Sequence, residues 1–127
     1  MERVTGLGGI FFKAENPEQL GAWYEKHLGI KQEHGCATFA WRHADDTNMK
    51  GTTVWSLFKK DTKYFEPSKA SLMVNYRVKD LDALLEALRQ EGVEIDPKRD
   101  DSEYGRFAWI MDPEGNRIEL WQPPEGK

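Results

Sequence analysis

Two halves of the chain can be laid over each other at a shift of 64 residues, which becomes 63 after one deletion near the end of a helix. At the first shift Ile10 falls on Val74, Phe12 on Tyr76, Asn16 on Asp80, Leu20 on Leu84 and Tyr24 on Leu88. At the second, Gly29 falls on Gly92, Ile30 on Val93, Leu57 on Leu120 and Phe58 on Trp121. Few of these pairs are identical. They match in residue type, in order, and at capping as well as apolar positions, which makes two copies of one supersecondary unit the economical explanation.

Each half opens on an alternating segment, LGGIFFKA at 7–14 and SLMVNYRVK at 71–79. Period-two alternation of this kind predicts a half-buried strand. Asn16 and Asp80 follow as helix N-caps, with Pro17 suited to the first helical position. Leu20, Trp23, Tyr24, His27 and Leu28 then recur at helical spacing, as do Leu81, Leu84, Leu85 and Leu88. Gly29 and Gly92 end the helices. Further strands are expected at Ile30–His34, Cys36–Arg42 and Thr52–Lys59 in the first half, and at Val93–Asp96, Tyr104–Met111 and Arg117–Gln122 in the second. His43–Gly51 reads as a hairpin loop, Asp112–Asn116 as a turn, and 59–70 as a polar connection.

The expected fold is therefore α+β: one domain over 1–127, with unit one at about 5–60, a connection at 61–69 and unit two at about 70–123. Each unit is βαβββ. A helix covers one face of its sheet, so the other face needs a different partner. If the two curved mixed sheets join edge to edge, their uncovered faces line a shared cup, with the helices outside.

Composition narrows the function classes. A net charge of −4 with no basic stretch excludes a nucleic-acid groove. The chain has no apolar run of membrane-spanning length, and MERVTG lacks the apolar core expected of a signal peptide. Cys36 is the single cysteine, so internal disulfides are impossible and a reducing cytoplasm is the expected location. Within CATFAW it is read as a small, buried or half-buried strand residue.

Three stretches resemble the vicinal oxygen chelate superfamily, which includes glyoxalase I, extradiol dioxygenases, fosfomycin resistance enzymes and bleomycin-binding proteins. They are GGIFFKAENPEQLGAWYEKHLGI at 8–30, MVNYRVKDLDALLEALRQEGV at 73–93 and YGRFAWIMDPEGNRIELWQP at 104–123, the last being the most specific. The branch it resembles is that of the small bacterial glyoxalase-like proteins. The resemblance implies a cup that, in metal-dependent members, holds a divalent ion on one side chain from the first and one from the last strand of each unit. Carried over residue by residue, those positions are Gly9, Ser56, Met73 and Glu119. Only Glu119 is an ordinary ligand for such an ion, so the metal site is expected to be missing, with a divalent metal on Glu119 as the alternative. His34 and His43 are expected at loops or strand ends.

Strand alternation assigns the cup face. Gly9, Phe11 and Lys13 are expected there, with Ser56, Phe58, Met73, Asn75, Arg77, Phe107, Trp109, Arg117, Glu119 and Trp121. This lining is aromatic with a few polar groups, as in small-molecule sites. Arg77 and Lys13 suit an anionic or oxygen-rich ligand, or else end their strands in water. Glu119 is either a catalytic base, a salt-bridge partner of Arg77 or Arg117, or the remnant of a metal site. Trp23, Trp41 and Trp55 are assigned to core or interface packing.

Three functions follow as expectations, with enzymatic activity left open. The first is a glyoxalase-like protein that binds or transforms a small oxygenated molecule without the usual metal. The second is a metal-dependent glyoxalase-type lyase or dioxygenase with Glu119 as ligand. The third is a non-catalytic, ligand-sequestering dimer like the drug-binding members, with an empty structural or regulatory dimer as its limiting case. No cofactor is expected. The resemblance implies a homodimer.

Overall fold

Strand β1 (Val4–Ala14) runs into helix α1 (Pro17–Leu28), as the alternation and cap predict. In this computed structural model, which describes residues 3–127, β2 (Cys36–Arg42) and β3 (Lys50–Lys59) complete the first half. The second half holds β4 (Leu72–Val78), α2 (Leu81–Gln90), β5 (Ile95–Ser102), β6 (Gly105–Met111) and β7 (Arg117–Gln122). The seven strands form one open, curved sheet in the order β2-β3-β1-β4-β7-β6-β5.

The repeat becomes an axis in three dimensions. β1 pairs parallel with β3, and β4 pairs parallel with β7. Between the units, β1 and β4 run antiparallel, with Ile10 directly opposite Val74. Val74 is the residue onto which the shift of 64 carries Ile10, so a pseudo-two-fold axis passes through this pair. Gly9 opposite Asn75 and Phe11 opposite Met73 obey the same symmetry.

Both helices lie on one face. Asn16 Oδ1 accepts from the Gln19 amide at 3.0 Å, and Gly29, in the left-handed conformation, caps the other end of α1. Asp80 Oδ1 accepts from the Ala83 amide at 3.1 Å, and Gln122 Oε1 accepts from the Leu81 amide at 2.8 Å, tying α2 to β7. Leu81, Leu84 and Leu85 pack with Val78, Ala108 and Leu120. Each buried leucine contributes roughly 2 kcal/mol of apolar burial. α1 is anchored differently: Tyr24 meets Phe12 and Trp55 edge-on, while Trp23 and Leu28 lie in solvent, at 51% and 60% exposure. The apolar spacing of α1 therefore overstates its buried face. Among the described residues, no helix is long and apolar enough to cross a membrane.

Three expectations need correction. Ile30–His34 is not a strand; only an isolated bridge joins Glu33 to Cys36. The Gln32 side chain instead donates to the carbonyls of Gly21 and Ile30, both at 2.9 Å, drawing the segment onto α1. His34 at φ 55° and Gly35 at φ 80° then turn the chain into β2. In the second half the strand expected at Val93–Asp96 begins at Ile95 and runs on to Ser102 through a charged stretch that the apolar pattern does not mark. Cys36, finally, is exposed, at the start of the edge strand β2.

Candidate ligand-binding cup

The face of the sheet opposite the helices gathers Phe11, Met73 and Trp109 into a second buried cluster. Alternation explains all three, since Phe11 lies opposite both Ser56 and Met73, and Trp109 lies opposite Glu119. The fourth buried member is Phe65, at 0% exposure, from the connection between the units. Phe65 and its neighbour Tyr64 enter the cup and pack on Phe58, Tyr64 stacking at 5.5 Å and 8° between ring planes. The connection expected to be polar thus supplies a wall of the site. The signal was present as two adjacent aromatics inside KDTKYFEP, a cost in solvent that burial removes.

Glu119 lies at the floor, 2% exposed. Its Oε1 accepts from Asn75 Nδ2 at 2.5 Å. Its Oε2 accepts from Trp109 Nε1 at 2.9 Å and from the Tyr64 hydroxyl. Burial, reinforced by the negative charge of Glu119, holds the Tyr64 hydroxyl well above its ordinary pKa, so Tyr64 stays a donor. The salt bridge expected from Glu119 to Arg77 or Arg117 does not form. Arg117 donates to Asp96 at 2.8 Å, with its guanidinium 5.1 Å from the Trp109 ring centre. Lys13 reaches over Phe65, 5.3 Å from the ring centre.

The four positions that hold a metal in metal-dependent relatives do not fit one here. Gly9 has no side chain. Ser56 Oγ faces Cys36 Sγ at 3.2 Å, and the Met73 thioether is packed among aromatic rings. Both oxygens of Glu119 already accept hydrogen bonds from protein groups. Hard divalent ions want several free oxygen donors, which this set lacks.

A cavity of about 300 Å³ opens beside this floor. Phe11, Val54, Phe107 and Trp121 form its apolar walls, and Asn75 and Glu119 its polar end. Phe107 and Trp121 are stacked, 6.1 Å between centres and 10° between planes. Gly8 also borders the cavity, at a bulge in the β1–β4 pairing. A Cβ on Gly8 would lie 2.0 Å from Asn75 Oδ1, so only glycine lets Asn75 reach Glu119 there. The mouth is framed by Tyr104, Pro124 and Lys127, none of which alternation could place.

Arg77 is 4% exposed. Its guanidinium is sandwiched between Trp41 and Trp121, 5.0 and 5.2 Å from the ring centres. It donates to the main-chain oxygens of Thr52 at 3.0 Å and Lys127 at 2.9 Å. Burial lowers its pKa, yet an arginine stays charged throughout the accessible range. Trp41, assigned above to core or interface packing, is a wall of this arginine slot.

The Arg117–Asp96 pair predicts an acid response. The hydrogen bond from Arg117 is the main reason that Asp96 lies below its ordinary value of 3.8, helped by the Lys98 amide. The unfolded chain therefore takes up this proton first as pH falls. The contribution is fully present above the ordinary value and is lost as pH drops through the depressed folded one. Urea midpoints measured from about pH 6 down to about pH 3 should fall less steeply in Arg117→Met than in the parent chain. Parallel slopes in the two proteins would contradict this assignment.

With this geometry in view, comparison with known proteins is direct. The family model described as a glyoxalase-like domain matches residues 9–121. The chain belongs to the glyoxalase-like domain family, within the vicinal oxygen chelate superfamily. Among curated proteins, none matches by sequence. Solved structures with a similar fold include a methylmalonyl-CoA epimerase in complex with methylmalonyl-CoA and NH4+, at TM-score 0.68 and 18% identity over 98% of both chains. The epimerase from Mycobacterium tuberculosis aligns at TM-score 0.61 and 23% identity, covering 98% of this chain and 91% of that one. A variant of the Streptomyces coelicolor epimerase in complex with 2-nitronate-propionyl-CoA aligns at TM-score 0.70 and 16% identity over 98% of both. At these identities the likeness establishes the shared fold.

Proposed function

We propose that this chain binds a small oxygen-bearing molecule with a flat apolar body in the cup, without a resident divalent metal. The supporting observation is the state of Glu119. Its two oxygens accept from Tyr64, Asn75 and Trp109, so they serve the floor of a cavity instead of an ion. The stacked Phe107 and Trp121 and the neighbouring Phe11 suit a planar ligand, because aromatic faces and edges reward parallel or perpendicular rings. A cavity of about 300 Å³ is at the small end of ligand sites.

A suitable test is titration with 1-naphthol, a neutral planar hydroxyl compound, followed by tryptophan fluorescence. Saturable binding that EDTA leaves unchanged is expected. Phe107→Ala should weaken it about tenfold, the equivalent of roughly 1.4 kcal/mol. Binding that EDTA abolishes and a divalent cation restores would instead support the metal-dependent reading.

A further inference from the structure

Asn75 borders the cavity and is 2% exposed, and its Oδ1 has no hydrogen-bond partner among the described residues. Buried carbonyl oxygens are nearly always paired, and an unpaired one is costly. The amide cannot escape the cost by turning over. Its other end meets Glu119 Oε1 at 2.5 Å, and a carboxylate only accepts, so the NH2 must point there and the oxygen away. Glu119 is itself fixed by Trp109 Nε1 and the Tyr64 hydroxyl. The floor network therefore holds one acceptor in a set direction without using it.

Neighbouring strands shape the place where that oxygen lies. The β1–β4 pairing is irregular between Leu7 and Gly9, and Gly8 has no side chain to fill the space beside Oδ1. A Cβ there would stand 2.0 Å from Oδ1 and 2.9 Å from Trp121 Cε3, so the oxygen and the indole edge meet over the glycine. Gly8, Asn75 and Trp121 all border the cavity, which puts Oδ1 at its wall, next to the stacked pair of Phe107 and Trp121. Trp121 Nε1 donates to the carbonyl of Tyr104 at 2.8 Å, and Tyr104 lies at the mouth, 70% exposed. A ligand that enters past Tyr104 thus meets the ring whose edge flanks Oδ1.

We infer that Asn75 Oδ1 is the acceptor for a hydroxyl on the cup's ligand, reached as the ligand moves the Trp121 edge aside. This rests on the cup being a ligand site, and it narrows the ligand from any oxygen-bearing molecule to a flat one whose oxygen carries a hydrogen. Ethers, ketones and carboxylates bring only acceptors to Asn75 Oδ1 and to the Glu119 carboxylate beside it, so the site disfavours them. A site shaped for a hydroxyl rejects an analogue without one, because its own polar group is then left unpaired.

The test compares 1-naphthol with 1-fluoronaphthalene at neutral pH, each titrated into the full-length protein and followed by tryptophan fluorescence. Fluorine is close to a hydroxyl in size and cannot donate. It also makes the ring less soluble in water, so apolar burial alone favours the fluoro compound. The parent chain should nevertheless bind 1-naphthol about tenfold more tightly. Asn75→Leu, which removes the acceptor at similar volume, should abolish that preference by weakening 1-naphthol and not 1-fluoronaphthalene. Gly8→Ala, whose Cβ takes the space of Oδ1, should do the same. If neither variant folds, the comparison in the parent chain still decides. Binding of 1-fluoronaphthalene as tight as that of 1-naphthol in the parent, or a preference that survives in Asn75→Leu, overturns the role of Asn75 and leaves the cup reading intact. Failure of both compounds to bind removes the cup reading and the role of Asn75 with it.

Discussion

Replacing Glu119 with alanine should lower the unfolding free energy by about 3–5 kcal/mol, as expected when several buried donors lose their acceptor at once. The carboxylate is 2% exposed, and it is the acceptor for Asn75 Nδ2, Trp109 Nε1 and the Tyr64 hydroxyl together. Each abandoned donor costs roughly 1–3 kcal/mol when water cannot replace its partner. The three costs are not independent, because the groups form one network and relax together. Glu119→Gln keeps the volume and one acceptor oxygen, but it turns an NH2 towards groups that are already donors. It should lose about half as much as the alanine variant. Urea unfolding of both variants, with near-ultraviolet circular dichroism reporting on Trp109, measures this. A Glu119→Ala protein within about 1 kcal/mol of the parent would mean that the network does not hold the floor together.

Phe65→Ala should be nearly as damaging, at about 3–5 kcal/mol. Its ring is fully buried against Phe58, with Phe11, Met73 and Trp109 in the same cluster. Removing it leaves a void in a wall shared by both units, and the connection loses its deepest anchor. The second readout is local. Trypsin should cut sooner at Lys59, Lys60, Lys63 or Lys69 than in the parent, because this segment is pinned through Tyr64 and Phe65. Phe65→Leu should recover much of the loss by refilling the space. A variant with unchanged stability and unchanged cleavage would contradict the role of the connection as a wall.

How far these features were legible depends on how local they are. The two strand-helix openings, their caps and the cup-facing residues of β1, β4, β6 and β7 follow from alternation and spacing within about ten residues. The strand expected at Ile30–His34 fails because Gln32 finds helix carbonyls within reach, which apolar pattern alone does not register. β5 begins later and runs longer than the apolar pattern predicts, because this edge strand carries charged residues on both faces. At the site, Glu119 is visible as an inherited position and Asn75 and Trp109 as cup residues, but their hydrogen bonds to Glu119 and the part of Tyr64 are not. Tyr64, Asn75 and Trp109 lie 55, 44 and 10 residues away in sequence.

The sequence by itself determined the duplication, the α+β class, the family and the cup-facing residues of β1, β4, β6 and β7. Those properties rest on period, capping and order along the chain, all of which are short-range. Only the tertiary structure decided that Ile10 meets Val74 across a pseudo-two-fold, that Tyr64 and Phe65 fold into the cup, and that Arg77 lies against two indoles. These depend on register between strands and on which distant groups close packing brings together, and alternation carries no information about either.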